Sequence, residues 1–184
     1  MHYIPNILSI IRLLLGPIIL YLFLAESINY KWIALLLFFI GSVTDALDGY
    51  IARAYNSVSE FGKNIDPLAD KIFILSALFS LYFLIPMYVP LWMILVVVFR
   101  DVLVTFIRVI SSRKKIHFQT SNFAKLKTII QSVALHICIL ILILYNYFNI
   151  NLNFIYYLMF LSTFVTFSTG ADYIRLYFKH KNDQ

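Results

Sequence analysis

Long apolar stretches, each broken by a few polar residues or a proline, recur along the whole chain and set its organisation. A helix rises about 1.5 Å per residue and the hydrocarbon core of a bilayer is about 30 Å thick, so roughly 20 consecutive apolar residues suffice to cross it. Six such segments are predicted, at about 6–24, 30–54, 62–85, 89–111, 122–147 and 154–178. No fixed-period repeat is visible and nothing marks an internal boundary, so residues 1–184 read as a single all-α integral membrane domain. The tail after His180 is expected to fray.

Composition strengthens this picture. Hydrophobic residues make up 61% of the chain and charged residues 13%, far from the balance of a soluble domain. The hydrophobicity is not confined to a short N-terminal segment with a small-residue cleavage site, so no removable targeting peptide is expected. Cys138 is the single cysteine, which leaves neither a disulfide nor a cysteine-rich zinc site within one chain, and it reads as a small core residue. In a chain of this kind the net charge of +6 matters through its placement rather than as a sign of nucleic acid. Arg53 and Lys63 flank the connection between spans two and three. Arg113, Lys114 and Lys115 follow span four, and Lys179 and Lys181 follow span six. The third-to-fourth and fifth-to-sixth connections carry no lysine or arginine, which places both termini in the cytoplasm.

Seven of the nine acidic residues are aspartates, and Asp45, Asp48, Asp66 and Asp70 fall where spans two and three approach the cytoplasmic side. Carboxylates near a low-dielectric region are costly unless paired, hydrated or bound to metal. Asp45 and Asp48 are three residues apart and Asp66 and Asp70 four, so each pair projects from one helical face. Antiparallel packing of the two helices across their short connection would bring the four carboxylates around one volume. With no Cys or His beside them, they suit a hard divalent cation such as Mg²⁺ or Mn²⁺. The alternative is a helix-end network with Arg53, Lys63 and Lys71. Asn6, Ser9 and Arg12 form a polar stripe on the first span, which either lines a nucleotide pocket or marks an ordinary interfacial helix. A second basic group, Arg108, Arg113, Lys125 and Lys127, lies near the connection of spans four and five and would suit an acceptor that carries its own phosphate. Positive-inside topology and anionic headgroups account for the same residues. Asp101, seven residues before Arg108 on nearly the same face, is placed to orient it.

Asp45, Asp48, Gly49, Ala52, Arg53, Gly62, Asp66 and Asp70 together spell D-x2-D-G-x2-A-R-x8-G-x3-D-x3-D. This pattern resembles the signature of the CDP-alcohol phosphotransferases at every fixed position. The resemblance implies that fold, with six membrane helices, a homodimer and a site facing the cytoplasm in a bacterial cell membrane. It also implies a metal site at Asp45, Asp48, Asp66 and Asp70, with two ions expected, and Asp70 as the base. Gly49 and Arg53 are implied to contact the CDP moiety, with Ser59 a looser match, and Gly62 and the stripe residues Asn6 and Ser9 are assigned to the same CDP-diacylglycerol site. Gly49 and Gly62 equally suit close helix packing.

The runs at 5–12, 66–71 and 125–128 look like those of the family's phosphatidylglycerophosphate synthases, which implies CDP-diacylglycerol as donor and sn-glycerol 3-phosphate as acceptor. Asp101 stands where that group is associated with glutamate, and Ser9 where threonine is common. A cardiolipin synthase using phosphatidylglycerol would share the motif. A membrane prenyltransferase holding a lipid diphosphate, or an ion transporter, would also use intramembrane aspartates, although the D-G-x2-A-R continuation argues against the former.

Overall fold

A computed structural model describes residues 4–55, 60–113 and 122–182, with side chains described over 7–45, 65–111 and 127–178. Six helices and no strand occur among the described residues: α1 (Ile4–Leu24), α2 (Ile28–Tyr55), α3 (Glu60–Leu84), α4 (Leu91–Arg113), α5 (Asn122–Leu144) and α6 (Asn153–Asn182). They coincide with the six predicted segments to within a few residues. Their ends follow local chemistry. Ser27 precedes α2, and its carbonyl accepts from the Tyr30 amide at 3.2 Å. Pro90 precedes α4, and its carbonyl accepts from Met93 at 3.0 Å. The side-chain oxygen of Asn151 accepts from the Asn153 amide at 2.9 Å, which satisfies one of the orphan donors at the start of α6.

Among the described residues, four stretches are long and apolar enough to cross a membrane: Ile7–Leu24, Ile65–Leu84, Lys127–Leu144 and Asn153–Phe178. The other two helices are comparable in length, but Lys31 and Asp45 interrupt the apolar run of α2, and Arg100, Asp101 and Arg108 that of α4. Every helix nevertheless turns large apolar side chains outward, among them Leu14, Leu36, Phe83, Phe99, Ile129 and Phe164. An apolar outer surface on all sides is what a lipid solvent requires and water penalises. Several hydroxyls inside the bundle are satisfied within their own helices: Ser42, Ser76, Ser80 and Thr166 each donate to the carbonyl four residues earlier.

Two groups of helices build the bundle. α1 packs against α3 and α2, α6 packs against α4 and α5, and the groups meet through α2 with α5 and through α3 with α4 and α5. The core at these junctions includes Ile19, Phe38, Phe73, Leu78, Met93, Leu135, Ile139 and Met159. Small residues permit the closest approaches. A Cβ on Gly16 of α1 would come within 3.0 Å of Ser76 Oγ on α3, and one on Gly41 of α2 would lie 2.4 Å from the Phe73 ring. Phe73 also stacks on Phe38, with centroids 5.0 Å apart, and Phe38 meets His136 of α5 at 4.4 Å.

Candidate active site

Asp45 of α2 and Asp66 and Asp70 of α3 come together through α1. One turn separates Ser9 from Arg12, and one turn separates Asp66 from Asp70, so a single face of α1 meets a single face of α3. The Ser9 hydroxyl donates to Asp66. Arg12 donates through Nη1 to both Asp45 and Asp70, bridging α2 and α3. The two aspartate side chains are 41% and 44% exposed while that of Arg12 is 3% exposed, so the guanidinium is the buried partner and the carboxylates face outward from it.

The described residues add α1 to the expected assembly. Among the described residues α2 and α3 do not pack broadly on each other; α1 bridges them, and the contact of Phe73 with Phe38 and Gly41 links them directly. The physical reason is charge. Carboxylates converging without a counter-ion repel, whereas a helix that supplies a cation and a hydroxyl to them stabilises the junction. The stripe on the first span thus includes two residues whose partners are the aspartates.

Arg12, Asp45 and Asp70 line a half-open cavity of about 220 Å³ bordered by Ser42 of α2, Phe73 of α3, and Thr128 and Ser132 of α5. The donor set is all hard oxygen and already gathers around a cation, the Arg12 guanidinium, which is the chemistry a divalent cation would need. Among the described residues, however, no three acidic, His or Cys side chains are arranged as a ready metal-holding group. The side chain of Asp48 lies outside the described residues, as do those of Asn6, Arg53, Arg113 and Lys125 and the surroundings of Gly49 and Gly62, although all seven stand on helices. Ser59 lies outside them altogether.

The second basic group separates into two kinds of residue. Arg108 is exposed on α4. Lys127 is buried, and its Nζ donates to Asp101 Oδ1 at 3.0 Å. The same oxygen accepts from Arg100 Nη1 at 3.1 Å. Asp101 therefore pairs with Arg100 and Lys127 rather than orienting Arg108, because seven residues along a helix amount to about 10 Å, whereas α5 brings Lys127 into direct contact. Lys71 joins this region through Thr105, donating to its Oγ1 at 2.6 Å. Arg100 and Lys71 were not among the predicted site residues; the adjacent opposite charges Arg100–Asp101 inside an apolar segment are the sequence signal that marks the place.

Comparison with known proteins adds an independent line. A family model described as CDP-alcohol phosphatidyltransferase matches residues 2–168. The chain is 38% identical over 140 residues to the CDP-diacylglycerol–glycerol-3-phosphate 3-phosphatidyltransferase of Rickettsia typhi, covering 76% of this chain and 78% of that protein. It is 33% identical over 177 residues to the protein of the same description from Rickettsia bellii, covering 93% of each. With the corresponding Bacillus subtilis protein the identity is 35% over 146 residues, covering 73% of this chain and 75% of that one.

Proposed function

The chain belongs to the CDP-alcohol phosphatidyltransferase family, and from that premise we propose that it transfers the phosphatidyl group of CDP-diacylglycerol to sn-glycerol 3-phosphate, giving phosphatidylglycerophosphate and CMP. The observation that carries the reading to this chain's own residues is the meeting of Asp45 and Asp70 on Arg12 at one wall of a cavity. The acceptor hydroxyl oxygen attacks the β-phosphorus of the donor, a new P–O bond forms, and the bond from that phosphorus to the bridging oxygen breaks. CMP leaves with the electron pair. Asp70, whose carboxylate is partly open to the surroundings, takes the hydroxyl proton.

Asp45, Asp48, Asp66 and Asp70 would hold Mg²⁺ or Mn²⁺, in one or two ions, which when bound supplies neutralisation of the donor diphosphate. Ser9 orients Asp66, and Arg12 keeps Asp45 and Asp70 together against their mutual repulsion. Arg53 and Gly49 are assigned to the CDP moiety, and Lys127, with Arg108 at the surface, to the acceptor phosphate. The reading includes six spans with both termini and the site on the cytoplasmic side of a cell membrane, and a homodimer.

Purified protein supplied with CDP-diacylglycerol and either glycerol 3-phosphate or phosphatidylglycerol tests the assignment, with lipid products identified by mass. Phosphatidylglycerophosphate is expected with the first acceptor. Cardiolipin from the second, with no turnover of glycerol 3-phosphate, would overturn the acceptor assignment.

A further inference from the structure

The charged residues of α3, α4 and α5 near the cavity, with Lys127 buried among them, have an arrangement that packing alone does not require. Lys71 follows Asp70, and Lys127 precedes Thr128, and both of those neighbours line the cavity, so each basic residue stands one position along its helix from a lining residue. Lys127 is 6% exposed, and its ammonium donates to Asp101 Oδ1 at 3.0 Å. That oxygen is also taken by Arg100 at 3.1 Å. Arg100 is fixed from its other side: Nη2 donates to Thr169 Oγ1 of α6 at 3.4 Å, and its stem lies over Gly170, where a Cβ would approach Arg100 Cγ to 2.8 Å. Lys71 reaches the same place indirectly, since Thr105, which receives its Nζ, donates in turn to the Asp101 carbonyl at 2.7 Å.

Two cations, Arg100 of α4 and Lys127 of α5, therefore share one carboxylate, with Lys71 of α3 tied through Thr105 to the backbone of the same residue, and a single carboxylate neutralises only one of the pair. Burying an ammonium that shares its one carboxylate with an arginine is costly, and an apolar side chain at 127 would pack the same space at lower cost. A surplus of positive charge on residues next in sequence to the cavity lining is complementary to a dianionic phosphate monoester. We propose that Asp101 is a positioning residue, which anchors the Lys127 ammonium within the bundle so that it is poised to receive the acceptor's phosphate. The inference rests on the reading above in which Lys127 meets that phosphate, and adds the group that holds it there. A residue that merely staples α4 to α5 would affect stability and turnover together, without singling out the acceptor.

The test is a double-mutant cycle on the full-length protein in detergent, with Asp101→Asn, Lys127→Met, the double variant and Asp101→Glu, titrating glycerol 3-phosphate and CDP-diacylglycerol independently. Each single neutralisation is expected to raise the acceptor KM about tenfold, the size expected for one lost charge-assisted hydrogen bond, with the donor KM within about twofold of the parent. The double variant should be no worse for the acceptor than Lys127→Met alone, because one residue acts through the other. Asp101→Glu, which keeps the carboxylate, should return the acceptor KM to within about threefold of the parent. Parental acceptor KM in Asp101→Asn with an impaired Lys127→Met, or a double variant in which the two effects multiply, overturns the inference alone. Parental acceptor KM in Lys127→Met overturns both the phosphate assignment and the inference. If Asp101→Asn does not fold, the double variant, whose charge pair is removed as a unit, and Asp101→Glu still decide the matter.

Discussion

Replacing Arg12 by methionine isolates the bridge on which the candidate site is built. Methionine keeps a long, flexible apolar stem where the Arg12 side chain is buried and deletes the guanidinium that donates to Asp45 and Asp70. Two charge-assisted hydrogen bonds at about 1.5–3 kcal/mol each set an upper bound of about 3–6 kcal/mol. Both carboxylates are more than 40% exposed, so water and salt recover much of that loss, and an expected cost of about 2 kcal/mol is more reasonable. For a chain of this length that corresponds to a fall of about 4–8 °C in the thermal midpoint. The assay is thermal unfolding of the detergent-purified protein in chelator and again with excess Mg²⁺. In chelator the variant should melt lower than the parent by that amount. Added Mg²⁺ should raise the variant's midpoint more than the parent's, because a divalent cation among the carboxylates replaces the charge that Arg12 supplied. An unchanged midpoint in chelator would refute the role of Arg12 as the counter-charge, and equal Mg²⁺ responses in the two proteins would refute the idea that arginine and metal serve the same carboxylates.

Chelation should abolish turnover, with Mg²⁺ or Mn²⁺ restoring it, and Asp45→Ala should be comparably inactive in the same CMP-release assay; full activity in rigorously metal-free buffer would defeat the metal assignment. Asp70→Asn preserves size and an oxygen but cannot accept the proton, so its kcat should fall by about 100-fold or more while CDP-diacylglycerol binding changes little, and parental turnover would exclude Asp70 as base. Gly41→Ala forces the Phe73 ring to move, since the added carbon would sit 2.4 Å from it. A loss of about 1–3 kcal/mol in stability is expected by thermal melting, partly relieved by Phe73→Leu, and a parental midpoint would show that the ring shifts freely.

Helix number and approximate ends were legible in the sequence because they depend on local physics: about 20 apolar residues, a cap or a proline at the boundary, and a periodicity that puts Asp66 with Asp70 and Ser9 with Arg12 on common faces. The eight-position motif likewise carries the family resemblance in local sequence alone, and the matched family model agrees. The partner of each charged face was not legible. Arg12 lies 33 residues from Asp45 and 58 from Asp70, and Lys127 lies 26 from Asp101, distances over which no periodic pattern carries information. Those pairings follow from which helices pack: α1 bridges α2 and α3, and α5 packs beside α2, α3 and α6. Asp101 shows the difference most clearly. Its helical face pointed toward Arg108 on its own helix, but an ion pair needs contact, and only the tertiary packing brought Lys127 of a neighbouring helix to 3.0 Å.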